Sequence, residues 1–304
     1  MYYREFGDAG FAVSEIGMGC NRLGEPAMPD SHWVALVHAA IDMGVNLFDT
    51  SESYGWGRSE EILGLAIGNR TDVYVATKVS RIRETNARDF SATRILAQVE
   101  ASLRRLQRER IDIYQLHSPS LEDLKSFDWP EAMTKLKEQG KIRLAGVSIN
   151  DAASARWLVE QGLVGAMQVA YNMIDYQTGR EVFPVARAAG VGTMVRMPMA
   201  QGILTGKFTP GEPVAEDHRA NLAGKHMTAM IDLAERFKPL AQQFGLPLTT
   251  IALRYAITPV GVSAAIPGAR TVDQLKQNVS ASNGKGLEAE VLEAIAAIQQ
   301  ELPE

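Results

Sequence analysis

Residues Val45 to Gly64, VNLFDTSESYGWGRSEEILG, contain an apolar run, a polar loop and the beginning of an amphipathic segment. The apolar run ends directly in Asp49, and Tyr54 follows in a loop that contains glycine. A short apolar run of this kind suits a buried parallel strand, whereas the segment from Ser59 onward has the spacing of a helix. The stretch therefore predicts one strand–loop–helix unit with an acid at the end of the strand.

The same alternation runs along the whole chain. Apolar runs that suit buried strands are EIGMG, VNLFD, VYVATK, DIYQLH, LAGVS, GAMQVA, GTMVRM and SAAIPG. Helices are predicted at Ser31–Met43, Ser59–Ile67, Ser91–Leu106, Glu131–Glu138, Ala152–Glu160, Glu181–Ala188 and Val272–Val279, several with Ser or Asp before them and Gly after them. Strand–helix units in this number close most naturally into a (β/α)8 TIM barrel, an α/β fold predicted here as a single domain over residues 1–304.

Further segments lie outside these units. YYREFGDAGFAVS predicts an N-terminal hairpin, and additional helices are expected at Met227–Phe244, Pro247–Ile257 and Leu287–Gln300. The polar stretch Thr209–Gly224 predicts a long loop, and loops of that length in a compact domain are usually functional lids or disordered.

A doubly wound sheet is the competing fold, and it would require a phosphate-binding glycine loop after a strand. The run IGMGCNRLGE offers Gly17 and Gly19, but Arg22 occupies the third glycine position of G-x-G-x-x-G. Pro26 follows, so a helix cannot open directly on this loop. The sequence therefore argues against a Rossmann fold.

The composition of the chain indicates its class of protein and which binding partners are unexpected. The chain has 304 residues, a formal net charge of −5 and 46% hydrophobic residues, which is typical of a folded soluble protein. It has no basic run, so we expect no nucleic-acid partner. Its single cysteine, Cys20, excludes an intrachain disulfide, and no segment has the character of a signal peptide or a membrane span. A cytoplasmic location is expected, and the sequence leaves the oligomeric state open.

Ionisable residues stand at the ends of three predicted strands. Asp49, Lys78 and His117 end strands two, three and four, and Tyr54 lies in the loop after strand two. In a barrel, groups at the carboxyl ends of the strands meet at one mouth, where active sites of this fold lie. We expect these four side chains to be neighbours.

The chain resembles the aldo-keto reductases. FDTSESYGWGRSEEILG, ATKVS, IDIYQLHSP, GVSIN, MQVAYN, MPMAQGILTGKF and IPGARTVDQLKQN are similar to signature segments of that family, in order, over Phe6 to about Ser282. The resemblance implies an NADP(H)-dependent enzyme that reduces an aldehyde or ketone, a small carbonyl substrate. It also implies a catalytic tetrad of Asp49, Tyr54, Lys78 and His117.

The tetrad chemistry follows from the residue types. A free tyrosine has a pKa of about 10, and a nearby ammonium lowers the pKa of a phenol that must give up its proton. Asp49 would hold Lys78 in place and keep it protonated. A neutral His117 would orient the substrate carbonyl, so Tyr54 is predicted to be the proton donor.

The resemblance also implies a cofactor site. Gly268, Arg270, Gln274 and Asn278 are expected to bind the adenosine 2′-phosphate and adenine, since a helix N-terminus and an arginine fork suit a phosphate. Ser148, Asn150 and Gln168 are expected at the nicotinamide carboxamide, although the sequence leaves open whether Ser148 or Asn150 contacts it. The remaining expected contacts are Gly19, Cys20, Asn21, Arg196, Pro198, Met199, Gln201, Gly202, Leu204 and Lys207.

The chain departs from the commoner family pattern at a few positions. Arg196 stands where many relatives place an aromatic residue that stacks on the nicotinamide. Cys20 and Asn21 replace a threonine and an aromatic, and Cys20 is interpreted as a small buried side chain. Trp56 and Trp129 are candidates for the wall of the substrate pocket. No metal site is expected, because the histidines show no ligand spacing.

Three other interpretations fit parts of the sequence. Tyr74 and Lys78 have the Y-x-x-x-K spacing of short-chain dehydrogenases, but the surrounding alternation predicts a strand rather than a helix. A strand-end lysine in a barrel also suits a Schiff-base aldolase that uses Lys78. Some relatives keep the barrel and cofactor as redox-sensing regulatory subunits, and that role remains an alternative.

Overall fold

The computed structural model describes residues 1–211 and 225–301, with no side-chain description for residues 225 and 226. Most of the predicted polar loop, residues 212–224, lies outside the described residues, so that prediction stays open.

A closed barrel of eight parallel strands forms the centre of the molecule. The strands are β3 (Met18–Gly19), β4 (Leu47–Asp49), β5 (Tyr74–Val79), β6 (Ile111–His117), β7 (Ile142–Ser148), β8 (Ala166–Ala170), β9 (Gly192–Arg196) and β10 (Val262–Ala265). Each strand pairs with the next along the chain, and all pairs are parallel. Bridges from Ile16 to Ala265 and from Gly19 to Gly268 join the last strand to the first. The predicted (β/α)8 fold is confirmed.

Helices cover the outside of the barrel. They are α1 (Asp30–Asp42), α2 (Arg58–Ile67), α3 (Ala92–Leu106), α4 (Leu121–Ser126), α5 (Trp129–Glu138), α6 (Ala152–Glu160), α7 (Gln177–Ala188), α8 (Lys225–Glu235), α9 (Lys238–Phe244), α10 (Leu248–Ile257), α11 (Val272–Val279) and α12 (Ala289–Gln300). Short 3₁₀ turns occupy Tyr54–Gly57 and Ala200–Thr205.

The helices differ from the predictions at three places. The segment Met227–Phe244 forms two helices, with Pro239 in the first turn of the second, where proline is favoured. The helix α7 begins at Gln177 rather than Glu181, and Gly179 near its start lets the Tyr171 ring pack against the helix backbone. The short helix α4 was not predicted, and a capping box of Ser120 and Asp123 starts it.

The predicted N-terminal hairpin closes the amino end of the barrel. Strands β1 (Tyr3–Glu5) and β2 (Ala12–Ser14) pair antiparallel, and the turn between them is fixed by a bond from the Asp8 amide to the Gly190 carbonyl, 2.8 Å. Phe6 and Phe11 pack with apolar side chains from inside the barrel. Apolar side chains therefore close this end of the barrel.

Inward-facing side chains change from apolar to polar along β5 and β6. Residues two apart share a face, so Ala76 and Lys78 of β5, and Ile113 and His117 of β6, point the same way. Ala76 and Ile113 belong to the apolar cluster at the amino end. The polar members come last, which concentrates the ionisable groups at the carboxyl end.

Candidate active site

A buried ion pair lies at the centre of the barrel mouth. The Lys78 ammonium donates to both Asp49 carboxylate oxygens, at 2.8 and 2.7 Å, and to the Thr50 carbonyl, at 2.8 Å. The Gln168 amide also donates to Asp49, at 2.7 Å. Lys78 is completely buried. A buried charge is tolerated only when it is paired and hydrogen-bonded, and this pair meets both conditions.

Lys78 remains an ammonium in this environment. Burial by itself lowers the pKa of Lys78, but the Asp49 carboxylate and the nearby Tyr54 outweigh it, so the pKa is raised. All three of the hydrogen bonds that Nζ makes need its protons.

The Tyr54 ring lies beside this ammonium, with its centroid 5.2 Å from Lys78 Nζ. Tyr54 begins the 3₁₀ turn between β4 and α2, and the next three residues, Gly55, Trp56 and Gly57, all have positive φ. A side chain at Gly57 would meet Arg105 Cδ at 2.7 Å. The glycines around Tyr54 therefore allow a turn that few other residues could form.

The pKa of Tyr54 differs from the sequence expectation. Burial raises the pKa of the Tyr54 phenol above its ordinary value, while Lys78 and Arg196 act in the opposite direction. The expected lowering of the pKa by Lys78 is present, but burial of the hydroxyl outweighs it, and that burial could not be judged from the sequence. The phenol holds its proton at neutral pH.

His117 faces Tyr54 from the end of β6. The two rings meet edge-on, with centroids 5.9 Å apart, and His117 Nδ1 lies 3.1 Å from Ser51 Oγ. Burial, together with Lys78, Arg196 and Arg81, lowers the pKa of His117 to about 3. The imidazole is neutral at physiological pH, as the sequence analysis expected.

The loop that carries Tyr54 is anchored at several points. The Glu52 carboxylate accepts from the Ser80 amide, 2.7 Å, and from Arg94 Nη2, 2.8 Å. Thr50 Oγ1 lies 2.7 Å from Ser59 Oγ, which donates to the Cys20 carbonyl. Sequence reasoning missed these residues, and only the acidic Glu52 inside an otherwise small-residue loop was a signal.

The residues expected at the nicotinamide converge on the same mouth but have different partners. Ser148 Oγ is buried without a hydrogen-bond partner among the described residues. Asn150 Oδ1 accepts from Arg196 Nη2 at 2.9 Å, and Gln168 is held by Asp49. Ser148 therefore keeps its hydroxyl available for a ligand.

The turn after β10 is held by the residues expected to bind adenosine. The Arg270 amide donates to Gln274 Oε1, 2.8 Å, and Asn278 Nδ2 donates to the Gly268 carbonyl, 3.1 Å. The bridge between Gly19 and Gly268 places the segment Gly19–Asn21 next to this turn. Gln274 and Asn278 thus shape the loop, and the exposed Arg270 is the candidate for contact with a phosphate.

The segment after β9 forms a second, partly buried turn. Gln201 and Gly202 have positive φ, and a side chain at Gly202 would lie 3.9 Å from Lys207 Nζ. Pro198 and Met199 precede this turn. Leu204 is fully buried in the core, so only its backbone can face a cofactor.

The two tryptophans have different positions. Trp56 is 45% exposed, with the Arg83 guanidinium 5.4 Å from its ring centroid. Trp129 is completely buried in the core, and its indole donates to the Leu124 carbonyl. Trp129 therefore lies outside the pocket for which it was a candidate. Cys20 is also buried, which raises the pKa of its thiol.

Other parts of the described structure offer less chemistry. A cleft of about 610 Å³ runs along α7 to the loop before β10, and Lys78 is not among the residues that line it. No group of three or more His, Cys, Asp or Glu side chains among the described residues is placed to hold a metal ion. Within the same residues, no helix combines the length and apolar character needed to cross a membrane.

A parallel barrel with a Lys–Asp pair, a phenol and a neutral imidazole at its carboxyl end places the molecule in the class of barrel enzymes. Comparison with known proteins specifies the class. The profile of the Aldo/keto reductase family matches residues 15–300. The chain belongs to the aldo/keto reductase family, whose members are oxidoreductases that use nicotinamide cofactors and small-molecule substrates.

Three relatives illustrate the range of the family. An aldo-keto reductase of Bacillus halodurans in its holo form superposes with a TM-score of 0.83 at 30% identity, covering 98% of this chain and 96% of that one. An NADH-specific methylglyoxal reductase of Escherichia coli is 31% identical over 79% of each chain. A probable voltage-gated potassium channel subunit beta of rice (Oryza sativa) is 28% identical over 100% of this chain and 98% of the relative.

Proposed function

We propose that this protein reduces an aldehyde or ketone to the alcohol with NADPH, and that Tyr54 is the proton donor. The observation that carries the proposal is the convergence of Tyr54, a fully paired Lys78 and a neutral His117 at one barrel mouth. A protonated phenol beside a fixed ammonium is what a general acid in carbonyl reduction requires.

The residues have separate roles. Tyr54 gives its hydroxyl proton to the carbonyl oxygen as the alcohol forms, and the Lys78 ammonium stabilises the phenolate that is left until solvent returns the proton. Asp49 holds Lys78 in position. When the Ser51 hydroxyl donates to Nδ1, the imidazole carries its proton on Nε2, and His117 can then donate to the substrate oxygen.

The chain's residues fit a nicotinamide cofactor, which would supply the hydride. The unpartnered Ser148 hydroxyl can bond the carboxamide, and Gly268 with Arg270 can receive the 2′-phosphate at the start of α11. NADPH is proposed over NADH because a guanidinium pairs with a phosphate and gains little from a hydroxyl. A relative named for NADH makes this choice one that must be measured.

Two alternatives are less well supported. A Schiff-base aldolase needs a neutral lysine, whereas Lys78 is an ammonium with three hydrogen bonds. A regulatory role is favoured by the name of the rice relative, but all four residues of a working tetrad are present here.

The test is NADPH and NADH consumption with a panel of aromatic aldehydes, sugars and pyridoxal, compared between wild type and Tyr54→Phe. We expect the variant to lose about 100- to 10,000-fold in kcat with little change in NADPH affinity. The exposed Tyr2→Phe is the matched control and should behave as wild type. A residual rate above about a tenth would exclude Tyr54 as the donor, and tight NADPH binding without turnover would favour the regulatory role.

A further inference from the structure

Three arginines at the barrel mouth lack a carboxylate partner among the described residues. Arg81 and Arg83 lie in the loop after β5, and Arg196 ends β9. Among the described residues, the Arg81 guanidinium donates to the Asn86 carbonyl, 2.9 Å, and the Arg83 guanidinium stacks over the exposed Trp56 ring. Arg196 Nη2 bonds to the Asn150 side chain and the Ile149 carbonyl. Their charges are therefore not neutralised by direct ion pairs within the described chain.

Most nearby acids are already engaged, and the exposed Glu84 that follows Arg83 forms no ion pair with these arginines among the described residues. Glu52 pairs with Arg94, Asp123 pairs with Arg88, and Asp49 pairs with Lys78. Asp175 is close enough to Arg196 for their charges to interact, without a hydrogen bond between them. Cations in a half-enclosed mouth concentrate a positive field on whatever enters it.

This field reaches the reacting groups. Arg81 and Arg196 both act on the His117 imidazole, and Arg196 also acts on the Tyr54 phenol. The cations therefore surround the position that a carbonyl substrate would occupy if the proposed function holds.

The cofactor does not account for Arg81 and Arg83. The residues expected at the cofactor phosphates follow β9 and β10, whereas these arginines follow β5. In the eight-stranded barrel, β5 lies opposite β9, so the two sets of loops face each other across the mouth. The side with Arg81, Arg83 and Trp56 is thus available to the substrate.

We propose that the substrate is an aldehyde or ketone that carries a carboxylate or phosphate, and that Arg81 and Arg83 bind this anionic group. The inference rests on the proposed function and narrows it to one substrate class. Trp56 offers an exposed flat apolar surface beside Arg83 for the part of the molecule between the carbonyl and the anion.

The first experiment compares two aldehydes of similar shape, 4-formylbenzoate and its methyl ester. The ester group withdraws electrons more strongly, so intrinsic reactivity favours the neutral compound. We expect wild type to prefer the carboxylate by about tenfold in kcat/KM, as one charge-assisted contact provides. The preference should shrink as salt is added, because these arginines are near solvent.

Single substitutions then test whether Arg81 and Arg83 cause the preference for the carboxylate. In Arg81→Gln and in Arg83→Gln, the ratio of the two kcat/KM values should fall several-fold. The control Arg70→Gln removes the same charge from an exposed pair with Asp72 before β5, at the other end of the barrel, and should keep the wild-type ratio. Equal kcat/KM for both aldehydes in wild type, or an unchanged ratio in both variants, would overturn the inference.

A binding measurement keeps the inference testable without turnover. Calorimetry in the presence of NADPH compares the affinity for 4-(hydroxymethyl)benzoate with the affinity for its methyl ester. Both ligands are alcohols, so NADPH cannot reduce them and only binding is measured. Tighter binding of the acid that weakens in Arg83→Gln supports the anion site even if neither aldehyde is reduced, and in that case the proposed reaction alone fails. Acid binding no tighter than ester binding contradicts the anion site.

Discussion

Buried polar side chains without partners line the inner wall of the barrel near the site. Ser148 Oγ, Arg196 Nε and both amide atoms of Gln115 are buried and unpaired among the described residues. Gln115 is adjacent to Lys78 in the sheet and precedes His117 by one full strand period. A buried polar atom left unpaired costs about 1–3 kcal/mol. Such a concentration at one end of the barrel is best explained by a polar ligand or by ordered water.

The neutral state of His117 predicts how stability depends on acid. Its pKa of about 3 in the folded protein lies below the ordinary value of 6.5, so the unfolded chain binds the extra proton between these limits. The contribution of His117 to the free energy of unfolding is fully present above about pH 6.5, and it decreases as the pH falls toward 3. The slope is at most about 1.4 kcal/mol per pH unit.

The measurement is urea unfolding at several pH values for wild type and His117→Gln. We expect the variant to lose less stability than wild type between about pH 6.5 and pH 4.5. The matched control is His38→Gln, at an exposed histidine that bonds to the Ala66 carbonyl. Identical pH slopes for wild type and His117→Gln would show that His117 takes up no proton on unfolding.

Arg196 predicts a difference between the two forms of the cofactor. If its guanidinium lies on the nicotinamide, it repels the cationic ring of NADP⁺ and not the neutral ring of NADPH. Repulsion between unit charges about 4 Å apart ranges from about 1 kcal/mol in water to about 4 kcal/mol near a protein surface. Even the lower value loosens NADP⁺ roughly fivefold.

Arg196→Gln keeps a planar end group and removes the charge, so it should tighten NADP⁺ relative to NADPH. Titrating both forms against both proteins by tryptophan fluorescence gives the ratio of dissociation constants. Arg81→Gln is the control, because it removes a charge from the opposite side of the mouth. An unchanged ratio in Arg196→Gln would mean that the charge does not act on the nicotinamide.

At the scale of elements, α2 packs so closely on α3 that one position admits only glycine. A Cβ at Gly64 would lie 2.2 Å from the Arg105 carbonyl oxygen and 3.0 Å from Leu106 Cα. Helix propensity alone favours alanine over glycine by about 1 kcal/mol. Forcing a methyl group against backbone costs about 1–3 kcal/mol or more, so packing decides the sign.

Gly64→Ala should therefore destabilise the protein by up to about 2 kcal/mol, measured as a lower urea midpoint. Leu65→Ala changes the neighbouring, exposed residue on the same helix and should stay within about 0.5 kcal/mol of wild type. A raised midpoint for Gly64→Ala would show that the two helices can move apart at little cost.

The sequence predicted the elements that a local hydrophobic pattern defines. It did not predict contacts that depend on packing between distant segments. The positions of Asp49, Lys78 and His117 near the carboxyl ends of strands follow from the short apolar runs before them, which a sequence displays directly. The link between Glu52 and Arg94 joins residues from different units, and nothing local announces it. Trp129 was considered for the pocket because of its loop, but the helix α5 begins there and turns its indole into the core.

At the scale of the whole molecule, the apolar packing and the candidate active site lie at opposite ends of the barrel axis. The amino end is closed by the hairpin and an apolar cluster, whereas the carboxyl end gathers the paired and unpaired polar groups. The turn with Gly268 and Arg270 lies at the seam where β10 meets β3 through the Gly19 bridge. A ligand bound at this turn lies where the last strand of the barrel meets the first. We therefore expect its binding to raise the free energy of unfolding of the whole molecule.

The last prediction uses that connection to measure cofactor choice. A ligand present at about 100 times its Kd stabilises the folded state by about 2.7 kcal/mol, so NADPH should raise the melting temperature by several degrees. NADH at the same concentration should raise it less, since it lacks the phosphate that Arg270 would bind. Losing a charge-assisted contact costs about 1.5–3 kcal/mol, so Arg270→Ala should bring the NADPH shift down to the NADH shift.

The control for this experiment is Lys276→Ala, which removes a charge from the exposed face of the same helix, α11. It should keep the wild-type difference between the two cofactors. Equal shifts in wild type would contradict the choice of NADPH itself. A difference that survives in Arg270→Ala would place the phosphate on another cation, with Lys207 beside the Gly202 turn as the next residue to replace.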